Sequence, residues 1–284
     1  MWARIADESD HVHERGVVRE LVERAAVGAV ALPIVGGLLW LGGAYAAALF
    51  ALAAAIGAYE YYRLTPLRGR DARWLGIVAT AVLPALPLIA RDTWPSIALA
   101  IVAAVSAATW ALLLVRGPRR EAPACVGHVL AGMAFVASGL VALAELRAGA
   151  DGLAWSAIVL IAAWANDTGA FVGGKLLGKH KLLPAVSPGK TREGLAIGAI
   201  VGVAGAMAAD LWFDAISRDD AIMVGIIAAV LGPIGDLCKS MLKRSAGVKD
   251  SGSLFLAHGG MLDRIDAVLF DAMGVLAYVL LVQR

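Results

Sequence analysis

Apolar residues in this chain do not alternate with polar ones at the period of a half-buried helix or strand. They gather into long runs, approximately 25–40, 44–61, 75–90, 97–115, 125–146, 153–172, 195–213, 221–237 and 265–282, separated by short polar segments. A membrane-crossing helix needs about 20 mostly apolar residues, so each run predicts one crossing, the shorter ones extending into their flanks. Leu41-Gly42-Gly43 marks a tight turn between the first two. The pattern predicts an all-α, polytopic bundle of about nine spans.

The basic residues test that count independently. In the ten successive connecting segments Lys and Arg number 4, 0, 4, 1, 3, 1, 5, 1, 5 and 1, an unbroken alternation that puts 21 on one side and 4 on the other. A wrong span count would scramble the alternation. Positive residues stay on the cytoplasmic side, so the N-terminus is expected to be cytoplasmic and the C-terminus outside. The chain divides into a polar segment 1–24, N-terminal helices 25–150, and C-terminal helices 151–284 with two basic cytoplasmic loops, together one integral unit. The segment 1–24 mixes six acids with four arginines and lacks a signal-peptide pattern, so it is expected to be retained.

Composition agrees. Of 284 residues 60% are apolar and 17% charged, with a mean hydropathy of +0.76. A soluble domain carries about 25% charged residues, and a disordered chain needs low hydrophobicity. Cys125 and Cys238 lie in apolar surroundings and form no metal or disulfide pattern. Gly194, Gly198 and Gly202 form a small-residue stripe suited to close packing within the bundle.

Ionisable groups inside apolar spans are costly, at least about 2.5–3.5 kcal/mol near the helix centre, and therefore mark candidate chemistry. Asp167, Asp210, Asp236, Asp266 and Asp271 stand out, with Asp263 at the mouth of the last span. The predicted topology brings Asp167, Asp236, Asp263 and Asp266 to the cytoplasmic leaflet. Asp263 and Asp266, three apart, share a helix face. Lys243, Arg244, Lys249, His258 and Arg264 lie nearby in sequence. Two readings follow from the residues: a structural cluster of ion pairs, or carboxylates holding Mg²⁺ while the bases hold a polyanion.

The loop 173–194 carries five Lys or Arg residues and Gly189-Lys190-Thr191, but it is no phosphate-binding P-loop. Pro184 stands where the first glycine should, and an apolar span rather than a strand precedes it. Taken alone, it reads as a basic loop against anionic headgroups. In the second loop, Gly259-Gly260 before Asp263 allows close backbone approach and leaves amides for an anion.

At these residues the sequence resembles the phosphatidate cytidylyltransferases. Their spaced pattern S-x-x-K-R, then K-D, then H-G-G-x-x-D-R-x-D is met by Ser240, Lys243, Arg244, Lys249, Asp250, His258, Gly259, Gly260, Asp263, Arg264 and Asp266. Gly235-Asp236-Leu237, Asn166-Asp167-Thr168-Gly169-Ala170, 178–182 and Ser187-Pro188-Gly189-Lys190-Thr191-Arg192-Glu193-Gly194 look like the family's other cytoplasmic blocks. The likeness covers about the last 120 residues. Leu256-Ala257 stands where Pro-Gly is usual, and Gly189 where a lysine is.

The resemblance implies transfer of cytidylyl from CTP to phosphatidic acid, giving CDP-diacylglycerol and pyrophosphate, in a bacterial-type plasma membrane with the active site cytoplasmic. It implies a divalent ion, Mg²⁺ or alternatively Mn²⁺, on Asp236, Asp263 and Asp266. Asp266, Lys243 and Arg244 are the expected catalytic groups. Asn166, Asp167, Ser187, Lys190, Thr191, Ser240, Lys249, His258 and Arg264 are expected to bind substrate. A homodimer is implied by the resemblance alone, and no nucleic-acid partner is expected. Three other readings compete: a CTP-dependent polyprenol or phytol kinase, a secondary transporter using Asp167, Asp236 and Asp266 for ions, and a structural scaffold with degenerate motifs. Clustering of the carboxylates at one face, with no internal repeat, disfavours transport.

Overall fold

A computed structural model of the chain describes residues 32–66, 70–117, 120–209, 211–248, 251–252 and 259–282. The segment 1–24, Asp210, Lys249, Asp250 and His258 lie outside the described residues.

The fold is built of helices α1 (Leu32–Leu41), α2 (Gly43–Leu64), α3 (Arg70–Val82), α4 (Leu86–Ile89), α5 (Trp94–Val115), α6 (Ala122–Ala148), α7 (Gly152–Leu177), α8 (Arg192–Ala209), α9 (Arg218–Ser245) and α10 (Leu262–Val282). Eight helical segments are long and apolar enough to cross a membrane, α3 and α4 counting as one, Arg70–Ile89. They correspond to the second through ninth apolar runs. The first run is represented by α1, shorter at Leu32–Leu41 among the described residues. The expected turn is present: Gly42 and Gly43 have φ of +66° and +47°, the left-handed region where a side chain would be strained.

Two local readings need refinement. The third span begins at Arg70 rather than residue 75, and Pro84 and Pro87 break it into a 3-10 turn, Leu83–Ala85, followed by α4. The stretch 173–194 is more ordered than a loop. The α7 helix runs on to Leu177, after which β1 (Lys181–Leu183) and β2 (Ser187–Thr191) pair antiparallel, Lys181 opposite Thr191 and Leu183 opposite Ser187.

The core lies where α6, α7 and α10 meet, with α2 beside them. Val136, Ile158, Val159, Leu269 and Val275 are fully buried there. Outward positions stay apolar, among them Leu99, Leu114, Ile200 and Leu281. Outward apolar positions suit a lipid surround. Packing between helices depends on small residues, since lipid tails supply no hydrophobic drive and dispersion needs close backbones. The glycine stripe on α8 serves this purpose within the chain. A Cβ at Gly194 would stand 2.7 Å from the Ala170 carbonyl, and one at Gly198 2.8 Å from that of Asn166.

The α6–α10 crossing is as tight. A Cβ at Gly139 would lie 2.4 Å from Leu269 Cα and its carbonyl oxygen. Gly→Ala in a helix ordinarily gains about 0.5–1 kcal/mol. Against an unyielding backbone the sign reverses, and Gly139→Ala is expected to destabilise by about 1–3 kcal/mol through overpacking. Thermal unfolding in detergent checks this; an unchanged or raised melting temperature would show that the two helices separate freely.

Candidate active site

One end of the bundle collects the chemistry. The α7 C-terminal half, the β-hairpin, the last turns of α9 and the first of α10 meet there, as the alternating spans require. On α9, Asp236, Lys239, Ser240 and Lys243 follow at intervals of three, one and three, so they share a helix face. Asp263 and Asp266 face them from the first turns of α10.

At the centre stands Lys239. Its ammonium lies 3.0 Å from Asp236 Oδ1, 3.2 Å from Asp263 Oδ1 and 2.5 Å from Asp266 Oδ2. Lys190 reaches in from β2 to Asp236 Oδ2 at 2.5 Å, and Lys243 donates to Asp263 Oδ1 at 2.6 Å. Three carboxylates and three ammonium groups thus form a neutral lattice across three elements. Exposure is graded: the Asp236 side chain is 25% exposed, Asp263 11% and Asp266 4%. Asp236 is the most accessible of the three, Asp263 less so, and Asp266 is held inside.

The second oxygen of Asp263 is fixed by the chain around it. Oδ2 accepts from the Ser251 hydroxyl at 2.8 Å, the Gly260 amide at 3.2 Å and the Ser251 amide at 3.3 Å. Close approach explains the glycine before it. Gly259 has φ of +78°, and a Cβ there would sit 2.6 Å from Asp263 Oδ2.

The remaining expected residues take varied places. Ser240 donates to Asp236 Oδ1 at 3.5 Å, at the edge of the lattice. Asp167 is exposed on α7, with Asp236, Lys190, Lys239 and Arg264 as its electrostatic neighbours. Arg244 is exposed and bonds the Val186 and Val248 carbonyls at 3.4 and 3.5 Å, tying the hairpin turn to the end of α9. Ser187 is half-buried in β2. Thr191 is buried, and its hydroxyl accepts from the Gly194 amide at 3.1 Å, so it caps α8. Asn166 is buried below the lattice and donates to the Ala228 carbonyl at 3.2 Å. Deeper still is Asp271, fully buried, its oxygens 3.2 Å from where a Cβ on Gly232 would stand. Lys249 and His258 fall outside the described residues.

Sequence reasoning missed Lys239. A lysine at the inner end of a span reads as one more positive-inside residue. The available signal was its spacing, three after Asp236 and four before Lys243, which puts it on the acidic face. Among the described residues no three or more His, Cys, Asp or Glu side chains are grouped to hold a metal ion. The three aspartates expected to do so come together, but around an ammonium.

Such a site can hold anions through its lysines while the carboxylates order those cations. Comparison with known proteins agrees in kind. Phosphatidate cytidylyltransferases of Staphylococcus saprophyticus, S. epidermidis and S. aureus are 39%, 37% and 38% identical to the chain over 142, 142 and 143 residues. These matches cover 50% of this chain and 54% of each relative, so the chain spans about half the length of the relatives it matches. The cytidylyltransferase family itself matches over residues 22–282, the helices that frame the lattice as well as those that carry it, and the chain belongs to that family.

Proposed function

We propose that the chain transfers the cytidylyl group of CTP to phosphatidic acid at the cytoplasmic face of a bacterial plasma membrane. The observation that carries this reading is the lattice of Asp236, Asp263 and Asp266 with Lys190, Lys239 and Lys243 at one end of the bundle. Support for the sidedness comes from the 21 basic residues on that side of the predicted topology.

The reaction joins two anions. A phosphate oxygen of phosphatidic acid attacks the α-phosphorus of CTP, a P–O bond forms, and the bond from that phosphorus to the bridging oxygen breaks, releasing pyrophosphate. An ionised phosphate is its own nucleophile, so no strong base is required. The protein's task is positioning and charge neutralisation. Lys190 and Lys243 sit at the rim on flexible stems and swing from carboxylates to phosphates. Lys239, anchored by three carboxylates, stays with Asp266 as they swing, and the two negative charges left on Asp236 and Asp263 are those a divalent ion would offset. Arg244 and Arg264 add cationic groups at this end of the bundle.

A Mg²⁺ ion would need only one or two of these carboxylates, because such an ion takes most of its ligands from phosphates and water. Asp236 and Asp263, the more open pair, would hold it, with Asp266 behind them. When bound it would neutralise the triphosphate and ease departure of pyrophosphate. The membrane setting suits the substrates. Each buried CH₂ of phosphatidic acid is worth about 0.8 kcal/mol, which keeps its chains in the bilayer, while CTP stays in water.

The test uses purified protein, phosphatidic acid vesicles and CTP labelled at the α or γ phosphorus, with and without chelator. The α label is expected in the lipid, and chelator is expected to stop the reaction. Label from the γ position in lipid would identify a kinase instead, and no transfer to lipid from either position would overturn the reading.

A further inference from the structure

Outside the lattice, one acidic side chain holds the segment that carries Asp263. Glu60 lies near the end of α2, buried at 3% exposure, some 200 residues from its partners. Its Oε1 accepts the Met261 amide at 2.9 Å, and its Oε2 accepts the Leu262 amide at 2.8 Å. These are the amides of the residue capping α10 and of its first residue, which have no partners within the helix. Oε2 also lies 3.1 Å from the Ser251 hydroxyl, the same hydroxyl that stands 2.8 Å from Asp263 Oδ2. Glu60 thus meets Ser251 on one side and the start of α10 on the other, the same residues that flank Asp263.

The two glycines facing Glu60 show how the grip is accommodated. A Cβ at Gly260 would lie 2.2 and 2.3 Å from the Glu60 carboxylate oxygens, and one at Gly252 2.6 Å from Oε1. Gly260 is not among the residues of positive φ, so its backbone would tolerate alanine. What alanine would displace is the carboxylate, the free end of a flexible side chain.

We infer that Glu60 is a positioning residue for cytidylyl transfer: docked in the space left by Gly252 and Gly260, it caps α10 from α2 and sets where Asp263 meets substrate. This rests on the reaction proposed above, which supplies one of the two readouts. Physically, a carboxylate bonding two free helix amides is favourable through both hydrogen bonding and the helix dipole. Its removal releases the first turn of α10, and Asp263 with it. A displacement of about 1 Å at a reacting group costs on the order of 100-fold in rate.

The experiment is a double-mutant cycle on the whole 284-residue chain in nanodiscs. Glu60→Ala and Gly260→Ala are each expected to lower kcat by about 10- to 100-fold, with KM for phosphatidic acid little changed. Because Gly260→Ala acts by evicting Glu60, the double variant is expected to be no slower than the worse single one. Glu60→Gln, which keeps one accepting oxygen, is expected to fall between wild type and Glu60→Ala. Amide exchange provides the second readout, independent of activity: protection at Met261 and Leu262 is expected to drop by about 10-fold or more in both single variants. Multiplying effects in the double variant, or wild-type exchange in Glu60→Ala, would overturn the inference. Were the wild-type protein inactive on CTP and phosphatidic acid, the reaction assignment would fail, and exchange alone would still decide whether Glu60 holds α10.

Discussion

Lys239→Met is expected to abolish cytidylyl transfer and to destabilise the bundle by about 3–5 kcal/mol, the range for removing one partner of a buried ion cluster. Methionine fills nearly the same volume, so packing is kept and charge alone is lost. Three carboxylates then face one another around the gap, and Asp266, 4% exposed, loses the ammonium 2.5 Å from its Oδ2. The wild-type lattice is neutral, with three aspartates against three lysines; the variant carries one uncompensated buried negative charge. A second substitution separates charge from shape. Lys239→Met combined with Asp266→Asn restores neutrality and is expected to recover a large share of the stability but not the activity. Thermal unfolding in detergent and α-labelled CTP incorporation measure the two effects. A single variant that melts and turns over like wild type would remove Lys239 from the centre of the site.

The second large effect is at the two less buried carboxylates. Asp263→Asn and Asp236→Asn are each expected to lower CDP-lipid formation by about 10³-fold or more, with membrane insertion intact; such losses are those of preorganised charge in a site that excludes water. At Asp263 the reason can be read atom by atom. Oδ1 accepts from Lys243 at 2.6 Å with Lys239 at 3.2 Å, and Oδ2 accepts from Ser251 and Gly260. An amide has one accepting oxygen, so its NH₂ must confront either the ammonium groups or the backbone donors, whichever way it turns. At Asp236 the amide would meet Lys190 or Lys239 in the same way. Incorporation of α label, read beside elution and melting of the same preparation, distinguishes lost chemistry from lost folding. Near-normal turnover in either variant would exclude that carboxylate from the site.

Much of the site was legible because membrane topology is a strong constraint. Once the spans are counted, the ends of α7 and α9 and the start of α10 must lie on one side. Asp167, Asp236, Asp263 and Asp266 could therefore be grouped without coordinates. What was not legible is which atoms meet. Thr191 and Asn166 sit within the expected blocks, yet Thr191 caps α8 and Asn166 bonds a backbone carbonyl of α9. A hydroxyl or amide near a site serves backbone or ligand with the same atoms, and only packing decides between them.

Glu60 shows the other limit. A lone acid in an apolar helix is a flag by its cost alone, but its partners, Met261 and Leu262, are backbone amides, which no side-chain pattern reveals. The hairpin 181–191 escaped for a related reason: its strands are short, half-exposed and hold Pro188 and Gly189, so no alternation marks them.

By itself, then, the sequence determined that the chain is a bundle of long apolar helices and at which of their ends the charge collects, because hydrocarbon penalises every unsatisfied polar group and leaves few ways to thread a chain. Tertiary structure alone decided that an ammonium, from Lys239, occupies the middle of the aspartates, and that a glutamate from α2 holds the helix bearing two of them. Both outcomes depend on distances of about 3 Å between groups that lie three to 200 residues apart, and contacts of that range are set by how helices close on one another.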